Sequence, residues 1–210
     1  MRMMYALSSS PWISMWMHPR RTISGIVNVD PKRNVLFLVV VAGIGDALNN
    51  AVEQSSGDNH DFLWIFLTVI IGGAIVGIIS LYISAALIEW TGHWIGGYGD
   101  SVEIRAALAW SGVTDIWIMA LWIPKLLLFG DETFRKATPR MDASPYLTSA
   151  SWILTAIGIV LGVWSMVVYC KCLGEVQGFS AWKALGNILL PGLVIIGPIL
   201  LIAGLLLFLT

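Results

Sequence analysis

The sequence predicts an all-α integral membrane protein: a bundle of five transmembrane helices preceded by an amphipathic N-terminal helix. Three observations predict it. Of 210 residues, 57% are hydrophobic and 12% charged, against about 25% charged in a soluble domain. Several apolar runs approach the ~20 residues that cross a hydrocarbon core. Within those runs the small and polar residues share helix faces, as they do in helices that meet one another in lipid. Net charge is -1, which gives no electrostatic footprint for nucleic acid. The partners expected are membrane lipids and either a second copy or another membrane protein.

Residues 1–32 form a leader on the cytoplasmic side. From Trp12 an apolar stripe runs through Met15, Trp16, Pro19, Ile23, Ile26 and Val27, with His18 and Arg21 across from it. Pro19 cannot continue a helix unperturbed, so two short pieces or a kink are expected. Trp on one side and Arg on the other suit an element in the headgroup plane. Packing against the membrane helices is the alternative. Trp12, Trp16, Arg20 and Arg21 are the candidate partner surface. The leader is not a cleavable signal peptide, whose apolar region would begin close to Met1.

The first span is expected over 34–52. Asp46, Asn49, Asn50 and Glu53 fall at i, i+3, i+4 and i+7, one helix face. The opposite face is Val40, Val41, Ile44 and Leu48. The second span is expected over 62–90, where Gly73, Gly77, Ser80 and Ser84 make a small-residue seam for a close helix neighbour. Glu89 and His93, four apart beyond the seam, are weak metal candidates. A surface ion pair is the simpler reading, because two ligands make a poor metal site.

Gly96-Gly97-Tyr98-Gly99-Asp100 reads as a flexible loop. It lacks the Gly-Lys-Ser/Thr of a phosphate loop. Asp100 or Ser101 is placed to cap the third span, expected over 104–129, with Glu103 in its first turn. At 100° per residue, Trp110, Val113 and Trp117 share one face, fit for lipid. Ser111, Gly112 and Asp115 lie opposite, fit for other helices. A carboxylate in hydrocarbon costs at least ~2.5–3.5 kcal/mol, so Asp115 should face protein or water.

The connection from Gly130 to Pro145 is the most charged. The fourth span is expected over 151–173. A turn with Ser180 as cap leads to the fifth, 182–209, where Pro191 and Pro198 should introduce kinks that neighbouring helices tolerate. Cys170 and Cys172, one residue apart, are free thiols, since that spacing does not suit a structural disulfide.

Lysine and arginine number eight on the N-terminal side and four on the other. That bias puts the N-terminus in the cytoplasm and the C-terminus outside. Measured from the cytoplasmic end, Asp46 and Asp115 both lie roughly 17–18 Å deep. They can therefore belong to one intramembrane polar site with Asn49, Asn50, Ser111 and Thr114.

Several stretches together resemble the Yip family, named for interaction with Ypt/Rab GTPases, and its prokaryotic branch in particular. They are Pro11-Trp12-Ile13-Ser14-Met15-Trp16 with Pro19-Arg20-Arg21-Thr22-Ile23, Gly96-Gly97 followed by Arg105-Ala106-Ala107-Leu108-Ala109-Trp110-Ser111, and Glu175-Val176-Gln177-Gly178-Phe179-Ser180 with Trp182-Lys183-Ala184. The resemblance implies five membrane helices, a cytosolic N-terminus, and residence in a bacterial inner membrane. It implies trafficking factors that bind Rab GTPases and one another in eukaryotes, and no settled activity in prokaryotes. Family members often carry Pro shortly after the Ala-Trp-Ser element. Here Thr114-Asp115 follows instead.

The first functional expectation is a membrane scaffold or adaptor. The second is a small-molecule or ion transporter or binder using Asp46 and Asp115, though no inverted repeat of equal halves is present. An enzyme is not expected. The residues offer no catalytic set at usable spacing, His18, His60 and His93 are scattered, and no cofactor is implied.

Overall fold

The computed structural model describes residues 10–209, with side chains through 197. Arg2, and Ser8 at the start of the leader, lie outside the described residues. Among those described, the regular structure is entirely helical. The leader is two helices, α1 (Pro11–Met17) and α2 (Pro19–Val29), each with proline in its first turn. Proline is tolerated there because the first N–H groups have no intrahelical acceptor. The helices divide at His18, whose backbone is non-helical. Then come α3 (Val35–Glu53) and α4 (Phe62–Trp94), followed by α5 (Ser101–Ser111), α6 (Val113–Met119) and α7 (Trp122–Phe129). The short α8 (Pro139–Ala143) leads into α9 (Pro145–Gln177) and α10 (Ala181–Leu209).

Val35–Glu53, Phe62–Trp94, Ser101–Phe134 and Pro145–Gln177 are each long and apolar enough to cross a membrane. A fifth helix, α10, is apolar over its described side chains, Ala181–Gly197. It stays helical across Pro191 and Pro198. Exposed aromatic side chains gather near both ends of the bundle. Trp90, Trp94, Tyr98 and Trp182 lie at the leader end, and Phe62, Trp64, Tyr146 and Trp152 at the far end. Amphipathic rings of this kind settle at membrane–water boundaries. At 1.5 Å per residue, Trp64 and Trp90 stand about 39 Å apart along α4. That is close to the thickness of a bilayer with part of its headgroup layers.

The main core sits in the leader half of the bundle. Met15, Ile23, Leu38, Ala85, Ile104, Trp110, Val168 and Leu173 belong to one buried cluster. A smaller cluster at the far end packs Trp122 and Phe134 with Ala51, Ile65 and Val69. The leader's apolar stripe is thus spent on the bundle: Met15, Pro19, Thr22, Ile23 and Ile26 are buried.

Two expectations are corrected here. The third crossing is not one uninterrupted helix. It breaks at Gly112 and again at Ala120–Leu121, and the first break occurs without proline. A 100° projection carried through Gly112 therefore assigns the wrong faces. Trp110 and Val113 point inward, fully buried, while Trp117 is exposed. Trp110 is held there by its indole N–H, which donates to the Arg33 carbonyl at 3.0 Å, and by an edge-on contact with Trp12. A buried indole needs such an acceptor.

The glycine-rich loop is also not free. The Gly99 N–H donates to the Gln177 side-chain oxygen at 3.3 Å. A Cβ on Gly97 would collide with Gln177 and Phe179. The Asp100 carboxylate caps α5 by accepting from the Glu103 N–H at 2.8 Å.

Candidate functional site

Two polar regions stand out, and they differ in how their polar atoms are treated. The first closes the leader face. Helix α9 ends with Gly178 at φ +72°, a backbone conformation glycine adopts without strain. The Phe179 N–H reaches back to the Gly174 carbonyl at 2.6 Å and the Gly178 N–H to the Glu175 carbonyl. This is a Schellman-type end, which satisfies carbonyls that helix geometry leaves over. Arg20 of the leader sits on this turn. Its guanidinium donates to the Phe179 carbonyl at 3.0 Å and pairs with the Glu175 carboxylate at 3.3 Å. A cation at a helix C-terminus is favourable by itself.

Beneath the turn, Gln177 and Asn187 are buried side by side. Both amides donate to the Ile88 carbonyl, at 3.4 and 3.2 Å. The Thr91 hydroxyl lies 3.0 Å from the Asn187 carbonyl oxygen. Gly92 and Gly97 leave the room that the Gln177 side chain fills. Each buried amide thus has partners, as burial demands. Sequence reasoning did not single out Gln177, Asn187 or Thr91. Asn187 did carry a signal, being the one amide in an otherwise apolar span.

The second region lies inside the membrane-spanning part. Ser165 of α9, also missed from sequence, donates to the Asp115 carboxylate at 2.6 Å. Its oxygen lies 2.8 Å from the Thr114 hydroxyl. With the Ser165 proton committed to Asp115, the single Thr114 hydroxyl proton is shared between the Ser165 oxygen and the Ser111 carbonyl, at 2.8 and 2.9 Å. Ser111 is buried and returns its hydroxyl to the Leu108 carbonyl. Asp46 is near enough to act electrostatically on Asp115.

Asp46 and Asn50 line a groove of about 640 Å³ between α3 and α4. Ser111, Thr114 and Asp115 do not line it, and Asn49 is exposed outside it. The six expected residues are therefore divided. Thr114 and Asp115 bond to Ser165. Ser111 is tied to them only through its carbonyl, which accepts from Thr114. Asp46 and Asn50 face the groove, and Asn49 joins neither set. The seam on α4 does admit a close neighbour. Gly73 and Gly77 press on Gly43 of α3 so tightly that a Cβ on any of the three would meet backbone.

Of the leader candidates, Trp12 is taken up by Trp110 and Arg20 by Glu175. Trp16 is half-buried and Arg21 exposed. Glu89 is half-buried and His93 exposed, with no ion pair between them among the described residues. No group of three or more metal-type side chains forms among the described residues. Cys170 and Cys172 are buried free thiols, and the Cys172 sulfur rests 3.5 Å from that of Met15.

The arrangement defines a polytopic helical membrane protein whose leader is locked onto its bundle. Compared with family models, the sequence matches the Yip1 domain over residues 13–203, and the chain belongs to that family. No curated protein and no solved structure matches it.

Proposed function

We propose that the protein is a membrane scaffold or adaptor that presents its leader as a fixed docking face. The observation that carries this reading is the Arg20 clamp, which ties the leader to the end of α9 across 155 positions of sequence. A segment held this way presents a defined surface, and binding then costs less ordering. On α1 that surface includes Ile13 and Met17, both well exposed. Family membership supports the same kind of role. Its partners are other membrane proteins or a second copy, with surrounding lipid. A photo-crosslinker at Ile13 or Met17 in native membranes should give discrete protein adducts. Adducts to lipid alone would reject the reading.

The leader face is assigned to the cytoplasm of a bacterial inner membrane, on the distribution of basic residues. A cysteine at Asn59 should then react with an impermeant thiol reagent added from outside. Reaction from the cytoplasmic side alone would reverse the assignment.

A second reading is favoured by one observation, the Asp46 carboxylate in an open intramembrane groove. It makes the protein a binder or transporter of a small molecule or ion through Asp46 and Asp115. Intramembrane acids ordinarily serve such pathways.

A further inference from the structure

The α3–α4 groove runs much of the length of the bundle. Along α4 its lining extends from Trp64 to Ser84, with His60 just before the helix, about 30 Å at 1.5 Å per residue. A bilayer's hydrocarbon core is about 30 Å thick, so the groove matches that depth. Polar side chains recur along it: Gln54, Asn50 and Asp46 on α3, and Thr68, Ser80 and Ser84 on α4. Gln54, Asn50 and Asp46 are spaced by four, one stripe of the helix. All three are exposed, and their side chains make no hydrogen bond among the described residues. Between Asp46 and Ser80 the floor is Gly72, Gly73 and Gly77: Gly73 and Gly77 meet α3, and Gly72 leaves open space beside it.

Bare polar groups in hydrocarbon are costly and call for a polar occupant. A buried water-soluble solute would find walls on all sides, whereas this groove opens sideways. The occupant that matches a lipid-facing polar track is a lipid headgroup, its tails left in the bilayer. The lining holds one carboxylate and, among the described residues, no lysine or arginine. That charge favours an amine-bearing zwitterionic headgroup over an anionic one. We propose that the α3–α4 groove carries phospholipid headgroups, phosphoethanolamine-type in preference, from one leaflet to the other. The proposal rests on the second reading above in one respect, that Asp46 is a working group.

Gly72 offers a plug. A Cβ there meets only the Thr68 methyl at 3.9 Å, so a large side chain fills the groove without touching the α3–α4 contact. Gly162 on α9 is an exposed control, with nothing within 4 Å of an added Cβ. The test reconstitutes the full chain in sealed vesicles holding tail-labelled phosphatidylethanolamine or phosphatidylglycerol. An impermeant reductant then bleaches label in the outer leaflet. With the unaltered protein, bleaching should run on into the inner-leaflet pool, faster for the ethanolamine lipid. Gly72→Phe should stop it at the outer pool, and Gly162→Phe should not. Ser80→Leu provides a second plug should Gly72→Phe fail to elute as a folded protein. Asp46→Asn should bring the two lipids to equal rates.

Bleaching limited to the outer pool with the unaltered protein overturns the proposal. So does undiminished bleaching with a folded plug variant. Gly72→Cys that cross-links two copies, in vesicles without lipid movement, makes the groove an interface between copies instead. A headgroup preference that survives Asp46→Asn removes Asp46 as the recognising group, and with it the second reading, while the plug result judges the path separately.

Discussion

The leader face and the α3–α4 groove both hold polar side chains in a chain that is mostly apolar, yet they treat them in opposite ways. At the leader face Gln177, Asn187 and Thr91 are buried and each has a partner. In the groove the Asp46, Asn50 and Gln54 side chains are exposed and make no hydrogen bond among the described residues. Satisfied buried amides hold helices in register. Unsatisfied ones in a lipid-facing groove cost stability and are kept for what they bind. The contrast predicts that substitutions at the leader face act on folding, and that those of the groove's polar side chains act on function.

The largest effect is expected at the floor of the groove, where α3 and α4 touch. Gly77→Leu drives a side chain into the Val39 carbonyl and Gly43 Cα, and overpacking of this kind costs about 1–3 kcal/mol or more. Loss of the monodisperse peak after mild heating in detergent is the measurement. A Gly77→Leu protein as heat-resistant as the parent would mean that α3 and α4 separate easily.

Next is Gln177→Leu, which strips the Gly99 N–H of its side-chain acceptor. A buried donor left unpaired costs about 1–3 kcal/mol. Hydrogen exchange should accelerate at Gly99 while the α3–α4 contact keeps its protection. Arg20→Ala ranks third, at about 1 kcal/mol or less, because the ion pair is partly exposed. Its signature is local: protease should cut between α1 and α2 sooner, and Arg20→Lys should restore only part of the protection, since lysine lacks the fork that reaches both Glu175 and the Phe179 carbonyl. Smallest is Asp46→Asn, expected to move the melting temperature by an amount within about 0.5 kcal/mol, like other exposed changes. A large destabilisation there would erase the contrast between the two regions.

The membrane class and the order of the helices were legible because apolar runs of spanning length are local signals. The N-cap at Asp100 and the glycine seam were legible for the same reason. What escaped depends on contacts distant in sequence. Gly97 and Gly99 look mobile until Gln177, 78 positions beyond Gly99, is seen to occupy the space beside them. Trp110 looks lipid-facing until the Arg33 carbonyl, 77 positions earlier, and Trp12, earlier still, are seen to meet it. Asp115 was singled out, but its donor Ser165 lies on another helix and carries no local mark. The stretches that resembled the family, scattered along the chain, include Arg20, Gly97, Glu175, Gln177 and Phe179, which meet at one end of the bundle. Their spacing in sequence hid a single piece of architecture.

The Arg20 clamp also bears on how the chain is made. The leader leaves the ribosome early, while the turn that receives it is synthesised near the end of the chain. Until then Met15, Ile23 and Ile26 have no finished site to enter, and a greasy segment left in that condition invites off-pathway association. The newborn leader therefore cannot dock in full until α9 and its closing turn at Gly178–Phe179 have been made.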